Sequence, residues 1–495
     1  MTRSRIVQAL IISVAAGLGI ALAGCRVGPQ YVRPAAATAP AFKEPLPENF
    51  KSSDGWNPAQ PSDAQLKGDW WKLFNDPQLN ALEAQVDPAN QSLQQAAANF
   101  RAARAAIRFN RASEAPTIST APGAGAIRDS NNQPYFNSAN AKSNDGEGNF
   151  ILPFDLDYEI DLWGRVRRTA TQSRERAQAS AADLETLRLS LHAELAVDYF
   201  DLRSADAQRK LLDDTVTAFQ SALQLTEDRY NGGAAPLSDA TQARTQLQAA
   251  QVQATDVDIQ RAAYEHAIAV LVGQPPSAFT LPRNPITVSA PAIPVIPGML
   301  PSQLLERRPD IASSERSMAA ANEQIGIART AFYPTLSLSA AAGFAGTSAL
   351  NWFSWPSRFF AVGSTLSQTL FDNGRRRATS DIALAQYDAT VASYRQTTLT
   401  AFQQVEDNVN ALHNLEIEAR QQRDATASAQ QSLDLFNTRY EGGVDTYLQV
   451  ITWQTALLQN ERNDIEITRR RFEASVLLVK ALGGGWNVSQ LSQNP

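Results

Sequence analysis

From Phe150 to Leu162 the chain alternates strictly. The even positions, Phe150, Leu152, Phe154, Leu156, Tyr158, Ile160 and Leu162, are apolar, and the odd ones include Asn149, Asp155, Asp157, Glu159 and Asp161. A period of two marks a β-strand and contradicts a helix. One apolar face with aromatics and one carboxylate-rich face suit a strand with lipid outside and water inside, as in a transmembrane barrel. Asp155, Asp157 and Glu159 are then candidate lumen acids. Acid pairs also serve glycoside hydrolysis. However, the residues 210 positions on are Thr365, Ser367 and Thr369, so a solvated wall accounts for the acids without chemistry. A weaker alternation runs from Phe360 to Leu366.

Elsewhere the pattern is helical. Proline is absent from Phe154 to Ala235 and again from Ser357 to Asn494. Gly164 to Tyr230 predicts a helix of 67 residues, roughly 100 Å at 1.5 Å per residue, which demands helical neighbours along its length. One seam reads Leu212, Val216, Phe219, Leu223 and Tyr230. Another reads Val391, Tyr394, Thr398, Ala401, Val405, Asn408, Leu412 and Leu415, with Leu399, Phe402 and Val409 beside it. Two adjacent seams imply two neighbours, as in a ring of helices. The return helices from Pro236 are shorter. Helices near Ala89–Ser113 or Pro309–Phe332, laid end to end with them, would match one long helix.

Both long segments end in the same punctuation, Arg229-Tyr230-Asn231-Gly232-Gly233 and Arg439-Tyr440-Glu441-Gly442-Gly443. A shift of 210 superposes Gly164 on Gly374, Leu189 on Leu399, Leu202 on Leu412, Arg261 on Arg471 and Gly273 on Gly483, without gaps. Upstream, Pro116-Thr117-Ile118-Ser119 matches Pro334-Thr335-Leu336-Ser337 at 218. The chain is an internal duplication. Its predicted organisation is repeat 1 over 86–273, a proline-rich linker over 274–302, repeat 2 over 303–482 and a tail over 483–495. Gly232, Gly233, Gly442 and Gly443 are expected to turn each long helix into its return helix.

The N-terminus is separate. Arg3 and Arg5 precede an apolar run from Ile6 to Leu22 that ends Leu22-Ala23-Gly24-Cys25, a leader over 1–24 with a small-residue cleavage site. Leu-Ala-Gly-Cys resembles the bacterial lipobox, which implies lipidation of Cys25, the sole cysteine. Arg26, rather than Asp, follows it, implying export to the outer membrane. Residues 25–85 read as a lipidated tether and an equatorial segment. Losing Arg3 and Arg5 takes the formal net charge from −6 to −8, with no basic block, which argues against nucleic acid. No later stretch offers a membrane-spanning helix, so a crossing must use a closed barrel. Two strands per copy make four per chain, and four cannot close around a lumen. A homotrimer would supply twelve strands and a twelve-column helical tube.

The ordered stretches CRVGPQYVRP (25–34), WWKLFNDPQLNAL (70–82), YEIDLWGRVRR (158–168), RRPDIASSE (307–315), IGIARTAFYPTLSLSA (325–340), LFDNGRRRA (370–378) and ALGGGW (481–486) span nearly the whole chain. Together they resemble the TolC/OprM-type outer-membrane efflux proteins, in the NodT-like lipoprotein branch. The resemblance implies a mainly α fold with a transmembrane β-barrel: a trimeric twelve-stranded outer-membrane barrel continued by a long periplasmic α-helical barrel. It implies a passive exit duct for drugs or other small molecules. Its partners would be a periplasmic adaptor, an inner-membrane transporter of the RND type and outer-membrane lipid. No enzyme activity, cofactor or metal site is expected. The sequence has no HExxH, Walker A or Cys/His cluster, and His192, His266 and His413 are scattered and expected to be solvated or helix-packing residues.

In the family the tips converge and close the duct through tyrosine, arginine and aspartate. By position the second-tip tyrosine is Tyr440 and the first-copy acid is Asp239, with Tyr230, Arg229 and Arg439 as further candidates at the tips. The second-copy acids do not carry over, since those places hold Gln449 and Thr452, and the family's second-tip arginine place holds Asp445. The expectation is that Asp239 and Asp445 supply the constriction charge in threefold rings, with Arg229 and Arg439 as partners. A duct for protein secretion is the alternative reading. A periplasmic adaptor fits less well, since it needs one hairpin with lipoyl-like domains rather than two strand-bearing copies.

Overall fold

The computed structural model describes residues 26–35, 69–127, 147–288 and 307–485. The leader and Cys25 lie outside the described residues. The equatorial segment carries α1 (Pro77–Ala89), and the first half of the chain continues with α2 (Gln91–Ala112), β1 (Thr117–Ser119), β2 (Gly123–Ile127), β3 (Glu147–Ile160), α3 (Arg165–Asn231) and α4 (Leu237–Leu271). Repeat 2 comprises α5 (Pro309–Thr330), β4 (Thr335–Gly346), β5 (Arg358–Ser367), α6 (Arg375–Glu441) and α7 (Tyr447–Ala481).

The duplication is kept to the residue. Adding 210 carries the bounds of α3 onto α6 and of α4 onto α7, and adding 218 carries α2 onto α5. Strand register follows the same shifts: Thr117 pairs with Asp157 as Thr335 pairs with Ser367. Even the side-chain bond recurs, Thr117 Oγ1 donating to the Asp157 carbonyl at 3.3 Å and Thr335 Oγ1 to that of Ser367 at 3.4 Å. The short helices do meet end to end. Asn90 Nδ2 donates to the Leu271 carbonyl at 3.0 Å, and Arg308 Nη1 to the Ala481 carbonyl at 3.0 Å.

The sheet runs β1-β3-β4-β5, with β2 also on β3, all antiparallel. Repeat 1 departs from the expected two strands, because its first strand is broken into β1 and β2. Pro122 sits in the break and has no N–H for the ladder, whereas Ala340 takes its place in the unbroken β4. The alternating strand also ends earlier than predicted. Leu162 N turns back to the Ile160 carbonyl at 2.8 Å, and Asp161 accepts from Val166 N at 3.1 Å and Arg167 N at 2.9 Å. Asp161 therefore starts α3 rather than extending β3.

Pairing sorts the sheet's faces. Leu156, Ala340 and Val362 stand in one row, as do Phe154, Ala342 and Phe360, an apolar face whose β5 members are more than four-fifths exposed. Asp155 shares its row with Ala341 and Ala361, Asp157 with Ser339 and Gly363, and Glu159 with Ser337 and Thr365, a face of acids, hydroxyls and small residues. Aromatic groups mark both ends: Phe150 lies 5.5 Å from Trp352 at one, and Trp163 stacks on Tyr333 at 4.7 Å at the other. This is the layout of a lipid-facing band. Among the described residues no helix is long and apolar enough to cross a membrane.

The main core lies midway along the helices, where the equatorial segment wraps α3. Trp70, Trp71 and Phe74 bury against α3 and α7, with Phe200 stacked on Phe472 at 4.4 Å. Asp76 caps α1 and also takes Arg203 Nη1 at 2.6 Å and the Tyr199 hydroxyl at 2.9 Å. His192 is a packing residue here, stacked on Trp71 at 4.5 Å with Nδ1 2.6 Å from Glu83.

Candidate functional site: the two hairpin tips

Each tip is built identically in backbone. Gly232 N returns to the Asp228 carbonyl at 2.9 Å and Gly442 N to that of Thr438 at 3.0 Å, while Gly233 and Gly443 both adopt φ 72. That conformation is open to glycine at little cost and reverses the chain within a few residues. The four glycines thus occupy the turns expected of them.

The side chains then diverge. At the second tip Tyr440 is buried and packs on Tyr447 with ring centroids 5.3 Å apart, in a cluster with Ala243, Val450 and Ile451. The counterparts 210 earlier, Tyr230 and Leu237, are exposed. The sequence seam placed Tyr230 in the helical interface. Instead Thr226 is fully buried, one helical turn before Tyr230, and Tyr230 is exposed near the end of α3.

Of the two arginines, Arg439 pairs with one of the expected acids, and Arg229 takes a different partner. Arg229 reaches from the first tip to the second: its guanidinium lies 4.5 Å from the Tyr440 ring centroid and Nη1 donates to the Tyr440 carbonyl at 3.3 Å. An aromatic face and a carbonyl replace a carboxylate, giving a cation–π contact. Arg439 instead folds back within its own tip onto Asp445. Asp445 is therefore charge-compensated, whereas Asp239 forms no ion pair among the described residues and accepts only from Ser238 Oγ, at 3.4 Å.

Burial raises the Tyr440 phenol above its ordinary value, opposed by Arg229 and reinforced by Asp239. Burial, then Tyr440 and Asp239, push Tyr447 up to about 12. Both hydroxyls stay protonated, and that of Tyr440 is buried without a hydrogen-bond partner among the described residues. Tyr447 escaped the sequence reading. The signal was present, since tyrosine replaces Leu237 only in the second copy.

Of the lumen acids, Glu159 pairs with Arg165 through Nε at 2.8 Å and Nη2 at 2.6 Å, while Asp157 is exposed on the polar sheet face with Asp155 in the adjacent row. At the same end of the sheet, Val27 N donates to the Trp163 carbonyl at 3.2 Å, and Arg26 Nη2 meets Glu323 at 2.8 Å. Among the described residues no group of three or more His, Cys, Asp or Glu could hold a metal.

The family described as outer membrane efflux protein matches residues 82–274 and 300–484. The toluene efflux pump outer membrane protein TtgF of Pseudomonas putida is 31% identical over 95% of this chain and 96% of its own. The pyoverdine export outer membrane protein OpmQ of Pseudomonas aeruginosa is 30% identical over 89% of this chain and 93% of its own. The solved outer-membrane channel OprN superposes with TM-score 0.81 at 27% identity, covering 93% of this chain and all of that one. Duplicated hairpins, an amphipathic sheet and these likenesses agree: the chain belongs to the outer membrane efflux protein family, as the outer-membrane channel of an efflux pump with a β-barrel continued by an α-helical barrel.

Proposed function

We propose that three copies form a passive exit duct for small organic molecules, anchored by lipid at Cys25 and closed at rest by the hairpin tips. The observation that carries the gate is Arg229 on Tyr440. One tip grips the other inside the chain, and the same grip between chains would join Arg439 to Tyr230 of the neighbouring copy. Arg439 is instead held by Asp445, so Asp445 competes with closure. Asp239, the uncompensated acid, supplies charge at the mouth.

Arg26 and Val27, held against Glu323 and Trp163 near the end of β3, support a lipid anchor at this end of the sheet. The names of the relatives, which export pyoverdine and toluene, support small organic molecules as cargo. As a pump component, the duct would work with a periplasmic adaptor and an inner-membrane transporter of the RND type. Planar-bilayer conductance of the purified protein tests the gate. Arg229→Ala should raise conductance and Asp445→Ala lower it, and unchanged values in both would overturn it. A strain lacking the chain should accumulate apolar drugs or solvents, and unaltered accumulation across both classes would overturn the cargo.

A further inference from the structure

β3 and β5 run into α3 and α6, and β4 starts just after α5, so the helices lie beyond one end of the sheet. The turn between β4 and β5, residues 347–357, is at the opposite end. In an outer-membrane channel whose helical barrel is periplasmic, that end faces the cell exterior. The turn reads TSALNWFSWPS and holds no acid. Its backbone is tied down. Ser357 Oγ donates to the Asn351 carbonyl at 2.8 Å, Ser357 N to the Ser354 carbonyl at 3.0 Å and Trp352 Nε1 to the Phe344 carbonyl at 3.4 Å. Trp352 stacks on Phe353 at 4.8 Å and lies 5.5 Å from Phe150, and Phe353 meets Phe344 edge-on at 5.9 Å. Leu350, Phe353 and Trp355 nevertheless stay exposed.

Arg358, the first residue of β5, follows this turn. Strand register sets it in one row with Leu152 and Phe344, on the face that carries Phe154, Phe360 and Val362. It is the sole charged side chain on that apolar face among the described residues of the sheet. Arg358 is exposed and forms no ion pair among the described residues. Its guanidinium instead lies 3.6 Å from the centroid of the Trp355 ring, which is 74% exposed. The row of Ile160 and Leu336 is about 27 Å away along the strands, so Arg358 stands at the outer edge of the apolar band.

A charge on a lipid-facing strand is costly at the bilayer midplane and tolerated near the interface, where headgroup anions meet it. We propose that Arg358 and Trp355 form a binding site for a phosphorylated glycolipid of the outer leaflet. Its acyl chains lie along Phe360 and Val362, each more than four-fifths exposed. Its phosphate oxygens accept paired hydrogen bonds from the Arg358 guanidinium, a match of planar fork to anion that lysine lacks. Its sugar covers the side of the Trp355 ring that Arg358 leaves open. The ring contact holds the guanidinium plane before the lipid arrives, which lowers the ordering cost of binding. The inference rests on the lipid-facing side of the outer-membrane barrel and is independent of the gate at the tips.

Native mass spectrometry of the full-length protein in detergent, titrated with purified bisphosphorylated lipid A, tests the site. The wild type should retain lipid A, and Arg358→Ala should weaken that binding about tenfold or more, the worth of a charge-assisted pair. Arg358→Lys should lose less, and it keeps the test open where the alanine variant fails to insert. Trp355→Ala should weaken binding with the charge still in place. Arg375→Ala, at the helical end of the sheet, should leave binding unchanged. Equal binding of lipid A by wild type and Arg358→Ala would overturn the site. So would equal retention of dephosphorylated lipid A, which lacks the anion, or of phosphatidylglycerol, which lacks the sugar. Displacement of lipid A by inorganic phosphate would also overturn it, by marking a site for free anions. Each of these outcomes leaves the proposed duct and its gate standing, since those are read by conductance.

Discussion

α3 and α6 are copies of one another, each 67 residues long, yet twenty-three residues of α3 are buried and only nine of α6. α3 runs through the middle of the chain, flanked by α2, α4, α5 and α7, while α6 packs mainly on α5 and α7. Burial here reflects place in the array more than local sequence. Where α3 must be covered on several sides it carries Arg168, Tyr199 and Phe200, and the matching places in α6 are Ala378, Val409 and Asn410. Duplication supplied the hairpin, and later divergence fitted each copy to its own neighbours.

The contrast can be broken at four points. Arg168→Ala removes a buried cation that exists only in the first copy and leaves the buried Glu323 carboxylate with Arg26 alone. The loss should be about 3–5 kcal/mol, read as a large fall in thermal midpoint, whereas Ala378→Gly at the matching place should cost about 1 kcal/mol. Equal losses would remove the asymmetry. At the tips the contrast is functional. Tyr440→Ala should open the duct and raise conductance several-fold, because it deletes the face that Arg229 grips, a contact of about 0.5–2 kcal/mol. Tyr230→Ala, at the exposed counterpart, should alter conductance little.

Asp198 tests the interior by pH. Burial, then Glu194 and Asp201, push its carboxyl up to about 7, and its counterpart is Asn408. A folded pKa above the unfolded one means that folding takes up a proton. The associated stability is full below about pH 4 and is lost as pH rises through about 7. Asp198→Asn should therefore raise the thermal midpoint relative to wild type most at pH 8, less at pH 5 and scarcely below about pH 4. The effect is on the order of 1–2 kcal/mol once solvent screening of this partly exposed group is allowed for. A gain at pH 5 as large as at pH 8 would refute that origin. The smallest effect belongs to Pro122→Ala, which makes the broken first strand resemble β4. One new hydrogen bond of about 1 kcal/mol is offset by a freer unfolded chain, so stability should hardly move. Hydrogen exchange should nevertheless show protection appearing between Thr120 and Gly123.

Much of this was legible beforehand for a physical reason. Period-two alternation, long proline-free heptads and paired glycines act through local geometry, so α3, α6 and both turns are where the residues place them, and β3 is too, save that it ends at Ile160. What escaped was chosen by contacts across long sequence distances. Asp161 read as one more polar strand position until the backbone turned it into the cap of α3. Tyr230 and Tyr440 are spelled alike, but only the second meets a neighbouring tip. Arg229 and Arg439 are also spelled alike. One finds an aromatic ring 211 residues away and the other a carboxylate six residues on.

By itself the sequence determined the repeated unit: its element lengths, its turns and the two-faced strand, all set by backbone propensity and side-chain period. The tertiary structure alone decided the strand register, which of two equivalent residues is buried, and which partner each tip arginine takes. These depend on packing and desolvation among segments far apart in the sequence.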